Sequence, residues 1–216
     1  MIVTIDGPAG AGKSSAAKAL ARRLGFDFLD TGAMYRAVTL AGLRAGCDLN
    51  DPKAMEALLA DMVLEMPAGK VLINGEDITG PIRTPEVTAA SGSVASNPPV
   101  RKQLGVWQRA LAAGRNIVCE GRDQGTIVFP DAGCKFFLKA DPEERARRRH
   151  RELLARGEQI SLAEVRHAQE SRDRRDADRR IAPMVPANDA IILDSTHLTL
   201  EQIVERMEQE VRARIK

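Results

Sequence analysis

Aromatic side chains are scarce in this chain of 216 residues. One Trp, one Tyr and five Phe make up 3% of it, so the core has to be mostly aliphatic. Histidine is equally sparse. His150, His167 and His197 stand far apart, and no metal-binding cluster forms from them. The three cysteines, Cys47, Cys119 and Cys134, contain no CxxC pair. Cys119 and Cys134 lie inside apolar runs, which reads as buried free thiols in a reducing compartment. No apolar run approaches the roughly 18 residues that a membrane span needs. No secretory signal opens the chain, because residues 1–6 are a short apolar strand running straight into a glycine loop. Cytoplasmic localisation is the resulting expectation. Charge of either sign is not in excess, with 32 basic against 30 acidic residues and a net charge of +2. That balance argues against bulk nucleic-acid binding, which needs a clear basic surplus. Internal repeats, low-complexity linkers and a disordered tail are absent as well.

What is present is ordinary globular composition, 44% apolar and 29% charged, at the length of one domain with room for insertions. Strand and helix signals alternate, which argues for a parallel sheet covered by helices. Strands are expected at 2–6, 26–29, 116–120, 134–138 and 190–193. Helices are expected at 14–24, stopped by Gly25, at 33–45, and from Pro52 after Asn50-Asp51. The pattern changes near Met62. From about 63 to 83 the chain reads as a small β-rich insert, with Asn74-Gly75 as a hairpin turn. Helices follow at about 85–95 and 99–113. Asp141-Pro142 opens an arginine-rich helix, and Ser161 with Glu164 and Thr199 with Gln202 are capping boxes for the last two helices.

The strongest local signal is Gly7-Pro8-Ala9-Gly10-Ala11-Gly12-Lys13-Ser14, a full GxxxxGK[ST] match with a strand before it and a helix after it. The glycines let successive backbone N–H groups converge on one phosphate, and the helix adds its positive end. Lys13 can reach the β- and γ-phosphates of ATP, and the hydroxyl of Ser14 or Ser15 can bind Mg²⁺ directly or through water. This loop does not by itself name a reaction. The NKxD of guanine-specific GTPases is missing. The run Asn116-Ile117-Val118-Cys119-Glu120 is the nearest analogue of the hydrophobic strand ending in Asp-Glu of helicases and transporters. Glu120 is open to two readings, a holder of the Mg²⁺ shell through water or an ordinary strand-end acid.

Phosphoryl transfer needs positioning and positive charge more than covalent chemistry, and arginine suits it because its planar fork binds phosphate bidentately and stays charged. Candidates near turns are Arg36 after Asp30-Thr31-Gly32, Arg101 at a helix start, and Arg122-Asp123 after a strand. A denser group comprises Arg145, Arg147, Arg148, Arg149 and the stretch from Arg172 to Arg180. Acids are interleaved through 141–180, which leaves three readings: solvated, salt-bridged helices, a mobile lid jointed at Arg156-Gly157-Glu158 that excludes water, or a nucleic-acid arm. Arg122-Asp123 would suit a cytosine ring, whose N4 amino group donates to a carboxylate while N3 and O2 accept from arginine. Uracil presents an oxygen where cytosine has the amino group, so a site built this way discriminates between them.

Together these segments resemble the bacterial cytidylate kinases along almost the whole chain. The resemblance is carried by Ile5-Asp6-Gly7-Pro8, by residues 29–36, and by Glu76-Asp77-Ile78-Thr79 with Ile82-Arg83-Thr84. It continues through Glu120-Gly121-Arg122-Asp123 with residues 125–130, Arg172-Asp173 with Arg175-Asp176, and Ala182-Pro183 leading to Leu193-Asp194-Ser195-Thr196. It implies a three-layer α/β P-loop fold in a single kinase domain over 1–216. That domain would hold a central parallel five-stranded sheet, a nucleoside-monophosphate-binding insert at about 63–83 and a helical lid at about 145–180. It also implies γ-phosphoryl transfer from ATP, bound with Mg²⁺, to CMP or dCMP, by a monomer with no specific nucleic-acid or membrane partner. Carried over residue by residue, the ATP loop is Gly7, Pro8, Ala9, Gly10, Ala11, Gly12, Lys13, Ser14 and Ser15. Thr31, Tyr35, Arg36 and Arg122 surround the CMP phosphate. Arg101, Asp123 and Arg179 read cytosine, and Arg172 and Asp176 contact ribose. Lys13, Arg36, Arg122 and, from the lid, Arg149 would serve the transfer. Three departures from the family pattern stand out. Gly92 stands where a base-contacting serine is common, with Ser91 or Ser93 as possible substitutes. Thr31 replaces a serine, and Ser14-Ser15 replaces Gly-Thr. Rival readings are a kinase for UMP, AMP or a metabolite such as shikimate, and a nucleotide-dependent RNA-binding protein.

Overall fold

The computed structural model describes every residue except Arg156, Arg180 and Lys216, and of Ala68 only the backbone. One member of the expected joint Arg156-Gly157-Glu158 and the last arginine of the Arg172 to Arg180 stretch therefore lie outside the described residues. The chain forms two compact units, Met1–Leu29 with Gly114–Lys216, and Asp30–Ala113.

The first unit is built on a five-stranded sheet. Its strands are β1 (Ile2–Asp6), β2 (Asp27–Asp30), β6 (Ile117–Glu120), β7 (Cys134–Lys139) and β8 (Ile191–Asp194), in the spatial order β2-β6-β1-β7-β8. The expected parallel sheet is present, with β1 running parallel to β6 and β7, and β7 to β8. The chain leaves β1 toward one side of the sheet and later crosses to the other. The carboxyl end of β1 is thus a topological switch point, where open α/β sheets bind ligands. Alternation along β1 sends Val3 and Ile5 to one face, where they join α1 (Lys13–Leu24) and α8 (Leu200–Arg212) in one buried cluster. Ala16, Ala17, Leu20 and Ala21 of α1 and Ile203, Val204, Met207 and Val211 of α8 supply its helical side. Small alanines on α1 let its backbone approach the strands closely. Thr4 and Asp6 alternate to the opposite face and are equally buried.

Several boundaries move by a residue or two, each for a local reason. The second strand starts at Asp27 rather than Phe26 because Phe26 is used by the preceding helix. Its N–H bonds Ala21 O at 2.9 Å and that of Gly25 bonds Arg22 O at 3.4 Å, the paired bonds of a Schellman stop. Helix α2 (Thr31–Arg44) begins two residues earlier than expected because the Asp30 carboxylate caps it, accepting from Ala33 N at 2.8 Å. A feature that sequence periodicity did not reveal is a π turn over Gln124–Val128, in which Val128 N and Phe129 N bond back five residues to Asp123 O and Gln124 O. Helices α6 (Pro142–Ala155) and α7 (Leu162–Ala177) pack on one another, and the expected capping boxes open α7 and α8.

The second unit contains α2, α3 (Pro52–Ala60), α4 (Pro85–Ser96) and α5 (Pro98–Ala112), with α2 packed on α4 and α3 on α5. Strands β3 (Leu64–Glu65), β4 (Leu72–Ile73) and β5 (Glu76–Asp77) form a small antiparallel sheet within it. The expected hairpin is there. Asn74 and Gly75 both have positive φ, at 50° and 83°, which a two-residue turn between right-twisted strands requires. The Asn74 side chain accepts from Val63 N at 2.7 Å and donates to Asp61 O, tying the hairpin to the third strand.

Met207 is fully buried where α8 meets the sheet. Met207→Ala is expected to lower unfolding free energy by about 2–5 kcal/mol, through lost transfer energy and the cavity left behind. Urea denaturation checks it, with the midpoint moving and the slope unchanged.

Candidate active site

The first unit holds the phosphate loop. Gly7 follows β1 at φ 138°, and a methyl group there would overlap the Leu138 carbonyl of β7, so only glycine lets the loop leave the sheet at this point. Gly12 is the N-cap of α1, and neither a capping side chain nor an acid stands in the first turn. The amides and positive end of that helix are thereby left for an anion. Lys13 is only 5% exposed, and its Nζ donates to Pro8 O at 2.7 Å, folding the ammonium back across its own loop. Burial lowers its pKa well below the ordinary lysine value. The Arg122 and Arg172 charges push the same way, and Glu120 and Asp6 oppose them. An anionic phosphate would relieve that strain by restoring charge balance. Ser14 and Ser15 lie in the first turn of α1 with exposed side chains.

Beyond β6 the chain presents Arg122 and Asp123. Arg122 donates from Nε to Asp176 Oδ2 at 3.0 Å and from Nη1 to Gly121 O at 3.1 Å. Asp176 also pairs with Arg179, so one buried carboxylate of α7 gathers two of the expected arginines. Burial would raise the Asp176 pKa, but Arg122, Arg179 and Arg172 outweigh it and hold the carboxyl below its ordinary value. Asp123 is 3% exposed and is positioned through its neighbours. The next two amides, Gln124 N and Gly125 N, donate to Asp6 Oδ1 and Oδ2 at 2.9 and 2.8 Å. Asp6 therefore fixes the π turn and, with it, the backbone that carries Arg122-Asp123.

Of the arginine-rich helices, Arg147, Arg148, Arg151 and Arg166 form ion pairs with Glu143, Glu144 and Glu170, as solvated amphipathic helices do. Arg149 pairs with Glu152 at 3.1 Å along its own helix. Arg145 differs. It is 6% exposed, donates to Ala9 O of the phosphate loop at 2.9 Å and is ion-paired with Asp173. Ser195, fully buried after β8, donates to Ala11 O at 3.0 Å and accepts from Arg148 at 3.3 Å. Residue-type reasoning missed Arg145, Asp173 and Ser195 as supports of the loop, and Asp6 as the holder of the π turn. Asp6, Asp173 and Ser195 lay inside quoted family motifs with no role attached, which was the available signal.

The second unit holds the remaining candidates. Thr31 is buried at the first turn of α2, and Arg36, one turn on, pairs with the capping carboxylate of Asp30 at 3.4 Å. The Arg101 guanidinium lies 5.8 Å from the Tyr35 ring centroid and donates to Ala95 O at 3.0 Å. Ser91, a possible substitute for the serine missing at Gly92, turns its hydroxyl back to Thr88 O at 2.8 Å.

The family model described as cytidylate kinase matches residues 3–213. The chain belongs to the cytidylate kinase family. Two similar relatives are the cytidylate kinase of Geobacillus kaustophilus, 48% identical over 99% of this chain and 97% of that one, and that of Geobacter sp. (strain M21), 47% identical over 100% and 94%. Among solved structures, a protein from Eubacterium ventriosum aligns with a TM-score of 0.56 at 11% identity over 99% of each chain. Shikimate kinase from Bacteroides thetaiotaomicron aligns at 0.50 and 15% over 98% of each. At such identities the structural likeness speaks for the P-loop kinase fold alone. Membership of the family is therefore carried by sequence identity along the whole chain.

The pKa of Asp6 is raised from 3.8 to about 6, chiefly by burial and further by the Asp123 charge, against the pull of its two amide donors. The folded state thus holds this proton more tightly than the unfolded chain does. The associated stability is complete below the unfolded pKa and is lost as pH rises through about 6, roughly 3 kcal/mol in all. Asp6→Asn cannot titrate. The stability difference, wild type minus variant, should fall by up to about 3 kcal/mol between pH 4 and pH 7, read from urea unfolding at both values.

Proposed function

We propose that this chain transfers the γ-phosphoryl group of ATP to CMP, giving ADP and CDP, with dCMP as a second acceptor. The carrying observation is its membership of the cytidylate kinase family along residues 3–213, joined to a phosphate loop whose lysine is buried beside arginine charges. Lys13 and the amides of residues 7–15 hold the donor phosphates. Thr31, Tyr35, Arg36 and Arg122 are assigned to the acceptor phosphate. Asp123 accepts from the cytosine amino group, with Arg101 and Arg179 as further base readers and Arg172 and Asp176 on the ribose. Arg149 of α6 is assigned to the ATP phosphates. The chain is read as a single kinase domain with an acceptor-binding insert at about 63–83, where the small antiparallel sheet lies, and a helical lid at about 145–180 that takes in α6 and α7.

The acceptor phosphate is its own nucleophile. With a second pKa of about 6 it is largely dianionic at neutral pH, so no general base is required. What the protein must supply is alignment and positive charge that is already in place, which the buried Lys13 and the carboxylate-held Arg122 provide. Magnesium fits as a passenger of the nucleotide. Among the described residues no group of three or more His, Cys, Asp or Glu can hold a metal, while the first turn of α1 offers the exposed Ser14 and Ser15 hydroxyls as hard oxygen donors. Bound with ATP, it would neutralise charge on the β- and γ-phosphates.

The three thiols are free, and burial pushes Cys119 up to about 12 and Cys134 up to about 11, which keeps both inert. That fits action in a reducing cytoplasm. Among the described residues no helix is long and apolar enough to cross a membrane. A monomer is the proposed working form, checked by light scattering.

A coupled ADP-release assay with Mg²⁺ and ATP tests the reading. CMP and dCMP should support turnover far faster than UMP, AMP or GMP, and an equal response to all five would sink it. Lys13→Ala should cut kcat by about a hundredfold or more with the Tm little changed. Asp123→Ala should raise KM for CMP while leaving KM for ATP near its original value. An equal loss for both nucleotides would make Asp123 structural.

A further inference from the structure

The Pro8–Ala9 peptide of the phosphate loop is gripped at both ends by charge. Its carbonyl accepts from Lys13 Nζ at 2.7 Å, and its N–H donates to Asp173 Oδ1 at 3.1 Å. Carboxylate, peptide and ammonium therefore stand in series, an arrangement in which each hydrogen bond polarises the next. The same residue is held a third time, since Ala9 O accepts from Arg145 Nη1 at 2.9 Å and Arg145 is ion-paired with Asp173. Arg145 also donates from Nε to Ala140 O, so this pair is anchored at the base of α6. Gly10 packs directly against Arg145 and Gln169, and Gln169 donates to Arg145 O at 3.4 Å.

Asp173 belongs to α7, and so does Asp176, which binds Arg122 and Arg179. The two carboxylates are three residues apart, one turn along one helix. One therefore holds the loop that grips the donor, and the other holds arginines assigned above to the acceptor. A displacement of α7 made at one contact must be felt at the other, because a helical turn is stiff on the scale of a hydrogen bond.

We infer that Asp173 is a positioning residue that sets Lys13 through the Pro8–Ala9 peptide, and that α7 thereby couples occupation of the acceptor arginines to the grip on ATP. The inference rests on the CMP kinase reading. When an acceptor phosphate draws Arg122, the Asp176 contact changes and α7 shifts the anchor of the Pro8–Ala9 peptide. By linkage, ATP must affect CMP binding by the same factor.

The test is the affinity of the full-length protein for the β,γ-imido analogue of ATP with Mg²⁺, measured by calorimetry with and without saturating CMP. Wild type, Asp173→Asn and Asp173→Glu are compared. Asp173→Asn leaves buried Arg145 beside a neutral group and risks the fold. Asp173→Glu keeps the charge and displaces it by one methylene. Wild type should show a change of about fivefold or more in analogue affinity on adding CMP. Both variants should bring that ratio to within twofold of one, with affinity for CMP alone altered less than twofold. A merely structural Asp173 would lower Tm and weaken both ligands in parallel, leaving the ratio as in wild type. An unchanged ratio in Asp173→Glu, or a wild-type ratio of one, overturns the inference while CMP turnover by wild type stands. A wild-type protein that neither binds nor phosphorylates CMP would remove the functional reading and this inference together.

Discussion

Lys13 carries an ammonium group into a nearly dry position where arginine charges already stand, and the surroundings are arranged to make that bearable. Removing a cation from water is costly, and nearby like charges raise the cost further. The compensation is local and specific. Pro8 O accepts one of its protons, and Glu120 and Asp6 set opposite charge within reach. The chain leaves β1 through Gly7, where a side chain would overlap the carbonyl of Leu138, and the next residue turns its carbonyl to Lys13. A site held in this state is prepared for an incoming anion, because each phosphate charge relieves repulsion that folding has already put in place.

Carboxylates do most of the holding. Asp6 fixes two amides of the π turn, Asp176 gathers Arg122 and Arg179, and Asp173 takes an amide of the phosphate loop together with Arg145. Each joins a backbone segment or a cation to an element distant in sequence. In the second unit Asp30 does the same on a smaller scale, capping α2 and pairing with Arg36. Within the first unit Asp6, Glu120, Asp123 and Asp176 are buried and Asp173 is nearly so, and they sit where Lys13 and Arg145 are also withdrawn from water. The near-neutral net charge of the chain hides this internal pairing of opposite charges.

The mixed character of the arginine-rich helices illustrates how a single composition can serve two purposes. Arg147, Arg148, Arg151 and Arg166 are spent on pairs with Glu143, Glu144 and Glu170, which add little at an exposed helix surface. Arg145 is withdrawn into the fold and serves the phosphate loop instead. Periodicity and charge count give no means of separating Arg145 from Arg147, because both lie in one basic run and the difference is which face of α6 meets the phosphate loop and α7.

The phosphate loop, the strand before it, the helix after it and the capping boxes were legible in the sequence because each depends on neighbours within a few residues. Glycine at Gly7, proline at the first turn of α3, and Ser161 with Glu164 act through local backbone geometry, which local residue types determine. The hairpin at Asn74-Gly75 was legible for the same reason. Family motifs placed Arg122, Asp123, Arg172 and Asp176 together as candidates. The tertiary structure alone decided that Asp6 would hold the π turn and that Asp173 would reach Ala9 across 164 residues. Those contacts join chain segments far apart in sequence. Their partners are chosen by strand order and helix packing, and no local pattern of residue types encodes which distant backbone group a buried carboxylate will meet.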